Sequence, residues 1–367
     1  MRTLLTLSGL TTVIVLVFIV IGFIRGLEHS LTASGDPQVA LLFSLGMGEN
    51  LEYSSIPMRS SELVAASVAG IKEFKDRKYV SPELYLGTQI ELPEQGQSSM
   101  GLVRGVTQSA LLVRRQVELE SGGWPGEVLI GTLVSTKLGF TDQQLAVGQN
   151  ILLEGRTWRI SGTFSAADSA FESEIWCRLD DLQQAMKRQD LSLVAVTMNS
   201  PADFPDLDLF CKERLDLELQ ALREINYYQG LKKDYGPIRM LAWLVVFLVS
   251  GAGVFAGLNT LYGAVVGRTR ELSTLQTLGF LRRAIVISLI QEGVLLSTAA
   301  SLIAALIAVF LINGVAVRFT MGAFSLQIDS ISLLIGCGVG VLLGLLGAIP
   351  PALRALRLPV VDGLKSV

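Results

Sequence analysis

The sequence predicts an integral membrane protein with four α-helical spans, one before and three after a large extracytoplasmic α+β domain. Three observations predict it. Of 367 residues, 50% are hydrophobic and 17% charged, against about 25% charged in an ordinary soluble domain, and the mean hydropathy is +0.50. The hydrophobicity is gathered into four charge-free runs, Thr3 to Ile24, Met240 to Gly267, Gly293 to Val317 and Ser330 to Leu353. Each reaches the roughly 20 residues that cross a hydrocarbon core of about 30 Å. Lys and Arg are also unevenly placed at the ends of these runs.

The first run begins almost at the N-terminus, where a signal peptide would lie. A signal h-region has about 7–15 apolar residues and ends at a small-residue cleavage site. This run is longer, and Phe23-Ile24-Arg25-Gly26 offers no such site; an uncleaved anchor is the better reading. The loop after the second run holds Arg268, Arg270, Arg282 and Arg283 against Glu271, and the tail holds Arg354, Arg357 and Lys365 against Asp362. The loop after the third run has only Arg318 and Asp329. Positive charge marks the cytoplasmic side, so both termini and the Arg-rich loop are expected inside. The domains are then 1–26, the first span; 27–236, the external domain with its stalk; and 237–367, three spans with a cytoplasmic loop at 268–283 and a cytoplasmic tail. The stretch from Arg25 to Ile238 carries a net charge of −9.

Within the external domain, Val39 to Leu45 reads as a buried strand and Ser60 to Phe74 as a helix. Leu102 to Val106, Glu127 to Ile130 and Ser192 to Met198 read as strands. Ile151 to Phe164 reads as a hairpin about Glu154-Gly155, because glycine takes positive φ without strain. Asp203 to Leu215 reads as a helix and Asp216 to Ala221 alternates with period two. From Glu224 a helical pattern runs into the second span as a stalk, with Pro237 as its kink site.

Little in the chain offers chemistry. The whole-chain charge of −3 gives no footprint for nucleic acid. No Walker A, C-x-x-C, H-E-x-x-H or EF-hand pattern occurs. His29, the single histidine, reads as a solvated or headgroup-level residue beside the first span. Asp180-Asp181 and Asp206/Asp208 read as helix-start or solvated carboxylates, and Glu172 and Glu174, beside Trp176, as surface acids. Cys177 and Cys211 share the oxidising side; two separately buried thiols are the simpler reading and a disulfide the other. No active site, metal site or cofactor site is expected.

Two segments near the membrane are more informative. In Arg268 to Arg283, Leu272, Leu275, Leu278 and Leu281 recur every three residues between arginines, an apolar helical stripe. Such a stripe serves either as an interfacial anchor or as a docking helix for a cytoplasmic partner. Glu292 opens the third span. Intramembrane acids are functional candidates, but the 25 uncharged residues after it cross alone, which favours a place near the cytoplasmic headgroups.

The segment RTRELSTLQTLGFLRR followed by Ile285, Ile290 and Glu292 resembles the FtsX/MacB-type permease motif, an R-x-x-E-[IL]-x-x-L-x-x-L-G core, a basic pair, then an acid in the next helix. VRGVTQ (Val103 to Gln108), EVLIG (Glu127 to Gly131), Val147 to Phe164 and FESEIW (Phe171 to Trp176) resemble the MacB-type periplasmic core domain. Pro350 to Val360 resembles the family's exit from its last helix. The chain is thus similar to MacB-like and LolC/LolE-like ABC permeases without a fused ATPase domain. Relatives carry a basic amphipathic segment before the first helix, where only Met1-Arg2 stand here.

The resemblance implies a non-enzymatic inner-membrane permease, working as a dimer with a LolD/MacB-type cytoplasmic ATPase that holds ATP and Mg2+. An adaptor, an outer-membrane channel and membrane lipid are the further partners it suggests. Arg268, Arg270, Glu271, Leu272, Leu275, Leu278 and Gly279 would form the ATPase-coupling helix. ATP-driven motion would pass through it to the periplasmic domain, a mechanism called mechanotransmission. Lipids, lipoproteins, peptides and amphiphiles fit as cargo. The alternative is an FtsX-like permease that activates a periplasmic cell-wall hydrolase, a class whose external domain is usually smaller.

Overall fold

A computed structural model gives the fold and describes residues 2–48, 50–93, 96–124, 126–320 and 322–355. The chain divides into two compact units: a helical one of 1–26, 236–315 and 326–367, and a mixed one of 27–235 and 316–325.

Among the described residues, four helices are long and apolar enough to cross a membrane. They are α1 (Arg2–Ser34), α8 (Gly236–Gly267), α10 (Arg282–Ile307) with a π-helical turn at Ala308–Ile312, and α11 (Ser330–Ala355). The stalk reading changes here. The helix from Glu224 ends at Asp234, and Pro237 stands in the first turn of a new helix, where its missing N–H costs nothing. The tail with Arg357, Asp362 and Lys365, and the family-like exit beyond Ala355, lie outside the described residues.

Small residues set the packing of the helical unit. A Cβ on Gly344 would lie 1.9 Å from Ser297 Oγ, and one on Gly340 equally close to Ser301 Oγ. Gly293 faces Ala348 in the same way. With small residues four apart on both α10 and α11, the backbones approach closely, the usual solution where no hydrophobic effect drives helices together. Phe18 of α1 fills the space that Gly336 leaves open. About two turns further along α1, Arg25 pairs with Asp329, whose carboxylate also accepts from Ser332 N at 2.9 Å and so caps α11. Gly344→Val is expected to cost about 1–3 kcal/mol by overpacking, read as a lower unfolding temperature of the purified chain in detergent.

The mixed unit is built on ten strands: β1 (Val39–Ser44), β2 (Val80–Leu92), β3 (Gln97–Val106), β4 (Glu118–Gly122), β5 (Val128–Gly131), β6 (Asn150–Leu153), β7 (Arg156–Ser165), β8 (Glu174–Arg178), β9 (Leu193–Thr197) and β10 (Leu219–Arg223). Their order is β10-β1-β9-β2-β3-β8-β5-β7-β4, and β6 pairs with both β7 and β2. The pairings β2-β3-β8-β5-β7-β6-β2 therefore close a ring, around a core that includes Ile90, Val103, Ile151, Ile160 and Ile175. The β6–β7 hairpin turns at Glu154 and Gly155 with φ of +50° and +71°, as the sequence indicates.

Six short helices decorate the sheet: α2 (Ser60–Ser67), α3 (Ala110–Val113), α4 (Val134–Leu138), α5 (Leu179–Met186), α6 (Phe204–Glu213) and α7 (Glu224–Asp234). The helix expected to reach Phe74 stops after Ser67. Gly70 packs where a Cβ would meet Asp203 at 2.7 Å, and Ile71 bridges to Met198, so tertiary contact overrides the helical spacing. The helix expected from Asp203 is α6, reached through a capping box at Ser200 with Pro201 behind it. Asp180, Asp181 and Asp206 do stand in first turns, where the helix dipole favours them.

Several elements have no counterpart in the sequence reading, among them β2, β4, α3, α4 and one hairpin. Ala316–Phe319 (β11) and Gly322–Ser325 (β12), from the loop between α10 and α11, pair as a hairpin and belong to the mixed unit. The Lys137 ammonium of α4 donates to Thr320 O at 2.9 Å, and Phe319 stacks edge-on against Tyr235.

Candidate functional site

The Arg-rich segment of the helical unit forms a short helix, α9 (Thr269–Thr277). Leu278 caps it and Gly279 follows with φ +90°, a left-handed conformation glycine adopts without strain. The expected single stripe is thereby corrected. Leu272 and Leu275 lie on α9, while Leu278 and Leu281 flank the glycine turn, and Leu281 begins α10. Leu272 is half-buried and Arg270 and Glu271 are exposed. Leu278, Phe280 and Leu281 are 71%, 57% and 76% exposed, with Leu275 at 36%. Large side chains this open, together in one loop, form an exposed apolar surface.

Arg268 precedes α9 and reaches Glu292 about three turns into α10; the Nη1 to Oε1 and Oε2 distances are 3.2 and 3.3 Å. The pair ties the root of the loop to α10. Nearby, the Arg354 guanidinium of α11 lies 5.1 Å from the centre of the Tyr262 ring of α8.

The mixed unit holds a buried ionic network that sequence reading missed. Arg104 on β3 donates from Nε and Nη2 to both oxygens of Glu174, each at 2.7 Å, and from Nη1 to Glu83 on β2 at 2.5 Å. Arg114, just after α3, reaches Glu83 at 3.3 Å and pairs with Glu224 at the start of α7. All five side chains are at most 3% exposed. Trp176 Nε1 donates to Glu174 at 2.9 Å, and Tyr85 lies under the Arg104 guanidinium. Burial pushes the Glu83 carboxyl up, but the Arg114 and Arg104 guanidiniums outweigh this and hold it below the usual range. Burial, then the Glu174 carboxylate, drives the Tyr85 phenol well above its ordinary value. This is a paired and hydrogen-bonded cluster, which is how charges persist in a protein interior.

Glu172 and Glu174 are therefore not surface acids. Glu174 is the centre of the network, and Glu172 accepts from the backbone N–H of Ala166 and Asp168 at 2.8 and 3.0 Å. Both carboxylates are committed to structure. Cys177 and Cys211 are free and separately buried; burial pushes the Cys211 thiol up to about 12 and that of Cys177 higher. His29 is exposed. Among the described residues no group of His, Cys, Asp and Glu is arranged to hold a metal ion.

Two family models match the chain, the MacB-like periplasmic core domain over residues 3–208 and the FtsX-like permease C-terminal over residues 243–360. Among solved structures, the periplasmic region of MacB from Actinobacillus actinomycetemcomitans aligns at TM-score 0.41 and 11% identity, covering 56% of this chain and 97% of that one. The extracellular domain of the noncanonic ABC-type transporter YknZ from Gram-positive bacteria aligns at TM-score 0.39 and 13% identity, covering 50% and 99%. A search of curated proteins finds no match. The first family model alone spans more than half of the chain and the second takes up most of what remains, so this protein belongs to the MacB/FtsX-type family of ABC transporter permeases.

Proposed function

We propose that the chain is the permease subunit of an inner-membrane ABC transporter, driven by a separate cytoplasmic ATPase that binds ATP and Mg2+. Both termini face the cytoplasm and the mixed unit faces the periplasm, the orientation that the arginines about α9 favour. Two permease chains assemble with two ATPase subunits. Closure of the ATPases pushes on α9, and the displacement is relayed along α1 and α8 to the mixed unit, which moves a lipid, lipoprotein, peptide or other amphiphile onward. An adaptor and an outer-membrane channel complete the system where cargo leaves the cell.

The observation that carries this reading is the open apolar surface of Leu275, Leu278, Phe280 and Leu281 beside Arg270, Arg282 and Arg283. It is held at its root by the Arg268–Glu292 pair and lies inside the permease-type match. Solubilising the protein from its native membrane is expected to bring a nucleotide-binding subunit with it, and that subunit's ATPase rate is expected to change when the permease is added back. A preparation that retains no ATPase, with no effect of any co-encoded ATPase on reconstitution, would overturn the reading.

A further inference from the structure

The mixed unit holds an open-sided cavity of about 340 Å3, at the small end of the roughly 300–1,000 Å3 of ligand pockets. Its lining is of two kinds. One is apolar, walled by Leu27 and Leu31 of α1, Leu231 of α7, and Phe319 and Phe324 of the β11–β12 hairpin. The other comes from the buried ionic network, of which Arg104, Arg114, Glu174 and Glu224 line the cavity. The hairpin thus serves as one wall of a chamber that charged groups also line.

Charge does not balance in the polar lining. Behind the cavity wall, Glu83 adds a third carboxylate to Glu174 and Glu224, against the two guanidiniums. A fourth carboxyl, Glu52, on the short turn Leu51–Tyr53, also lines the cavity. The oxygens of Glu174 and Glu224 are occupied by Arg104, Trp176, Arg114 and the Asp36 N–H. Glu52 has no hydrogen bond or ion pair among the described residues. Burial, then the neighbouring Glu174 carboxylate, pushes it upward, as expected of an acid in an apolar setting without a counter-charge. A cation placed beside it would supply that counter-charge, and the tyrosine rings at positions 227, 228 and 235 offer π faces along the same wall.

We propose that this cavity binds a compact cationic amphiphile, a molecule with one amine or quaternary ammonium and an apolar body, with the cation at Glu52 and the body between α1, α7 and the β11–β12 hairpin. The site belongs to this chain's own residues and does not depend on an ATPase; only naming the occupant as cargo rests on the permease reading.

The test uses the full chain in nanodiscs of neutral phosphatidylcholine and two photoreactive probes with the same short alkyl chain, one ending in trimethylammonium and the other in sulfate. Crosslinked peptides are mapped by mass spectrometry, so probe dissolved in lipid is told apart from probe in the cavity. The ammonium probe is expected to label the 316–325 and 227–235 segments saturably, and the sulfate probe only weakly. Glu52→Gln is expected to reduce ammonium labelling roughly tenfold, and Leu231→Trp, which fills the apolar part, to block it. Equal labelling by the two probes, saturable labelling that survives both variants, or none that saturates would each overturn the proposal. A positive result without any ATPase, or a bound ATPase with no labelling, separates this inference from the permease reading.

Discussion

Arg104→Leu is expected to destabilise the mixed unit by about 3–5 kcal/mol, the cost of removing one partner from a buried ion pair. The guanidinium makes three charge-assisted hydrogen bonds to Glu174 and Glu83 and stacks on Tyr85. Without it, among the described residues, Glu174 keeps the Trp176 indole alone and Glu83 keeps Arg114 alone. Chemical unfolding followed by tryptophan fluorescence reports the loss directly, since Trp176 sits in the network. The pH dependence adds a second signature. Glu83 has a lower pKa folded than unfolded, so the unfolded chain binds more protons in the window between the two values and stability rises with pH there. Its contribution is complete above the unfolded carboxyl value of about 4.3 and disappears as pH falls through the folded value. With Arg104 removed the folded value rises, so the acid-induced loss in Arg104→Leu is expected to begin at higher pH than in the wild type. An unaltered acid limb would mean that Arg104 does not hold Glu83 charged.

Leu278→Asp is expected to weaken docking of the partner ATPase by roughly thirtyfold or more, the cost of about 2 kcal/mol seen at interface hot spots. Leu278 is 71% exposed and closes α9 just before the Gly279 turn, so the substitution buries no charge in the free chain and leaves the fold alone. The same change at Leu272, which is half-buried, is expected to lower stability as well, so Leu278 is the cleaner probe. Affinity of the purified ATPase for the reconstituted permease, together with its permease-dependent hydrolysis rate, checks the prediction. Full coupling in Leu278→Asp would remove this loop from the drive.

The elements legible in the sequence were those whose pattern is local. The long apolar helices, the Glu154-Gly155 hairpin and the strand at Val39 all carry their signal within a dozen residues. The ionic network does not. Glu83-Leu84-Tyr85-Leu86 and Glu174-Ile175-Trp176-Cys177 alternate as a half-exposed strand does, polar on one face and apolar on the other. Alternation cannot tell water from a buried guanidinium: Glu83, Arg104 and Glu174 meet through the register of β2, β3 and β8, while Arg114 and Glu224 come in from the end of α3 and the start of α7. Glu174 reads as a surface acid for the same reason; Glu172 sits in the short turn Ala170–Ser173, and its Ala166 and Asp168 N–H donors leave no mark in the residue spacing. The stripe through α9 failed on a different count: spacing by three is helical only while the helix continues, and Gly279 ends it.

The β11–β12 hairpin constrains the order in which the protein can fold. Residues 27–235 leave synthesis well before 316–325, and two long helices are made between them. Until Ser325 has been added, Lys137 has no Thr320 carbonyl to reach, Tyr235 has no Phe319 ring beside it, and the chamber in the mixed unit lacks a wall. Contacts this distant along the chain form late. The mixed unit is therefore held unfinished during translation, and excising 27–235 as a soluble fragment would reproduce that unfinished state rather than the native one.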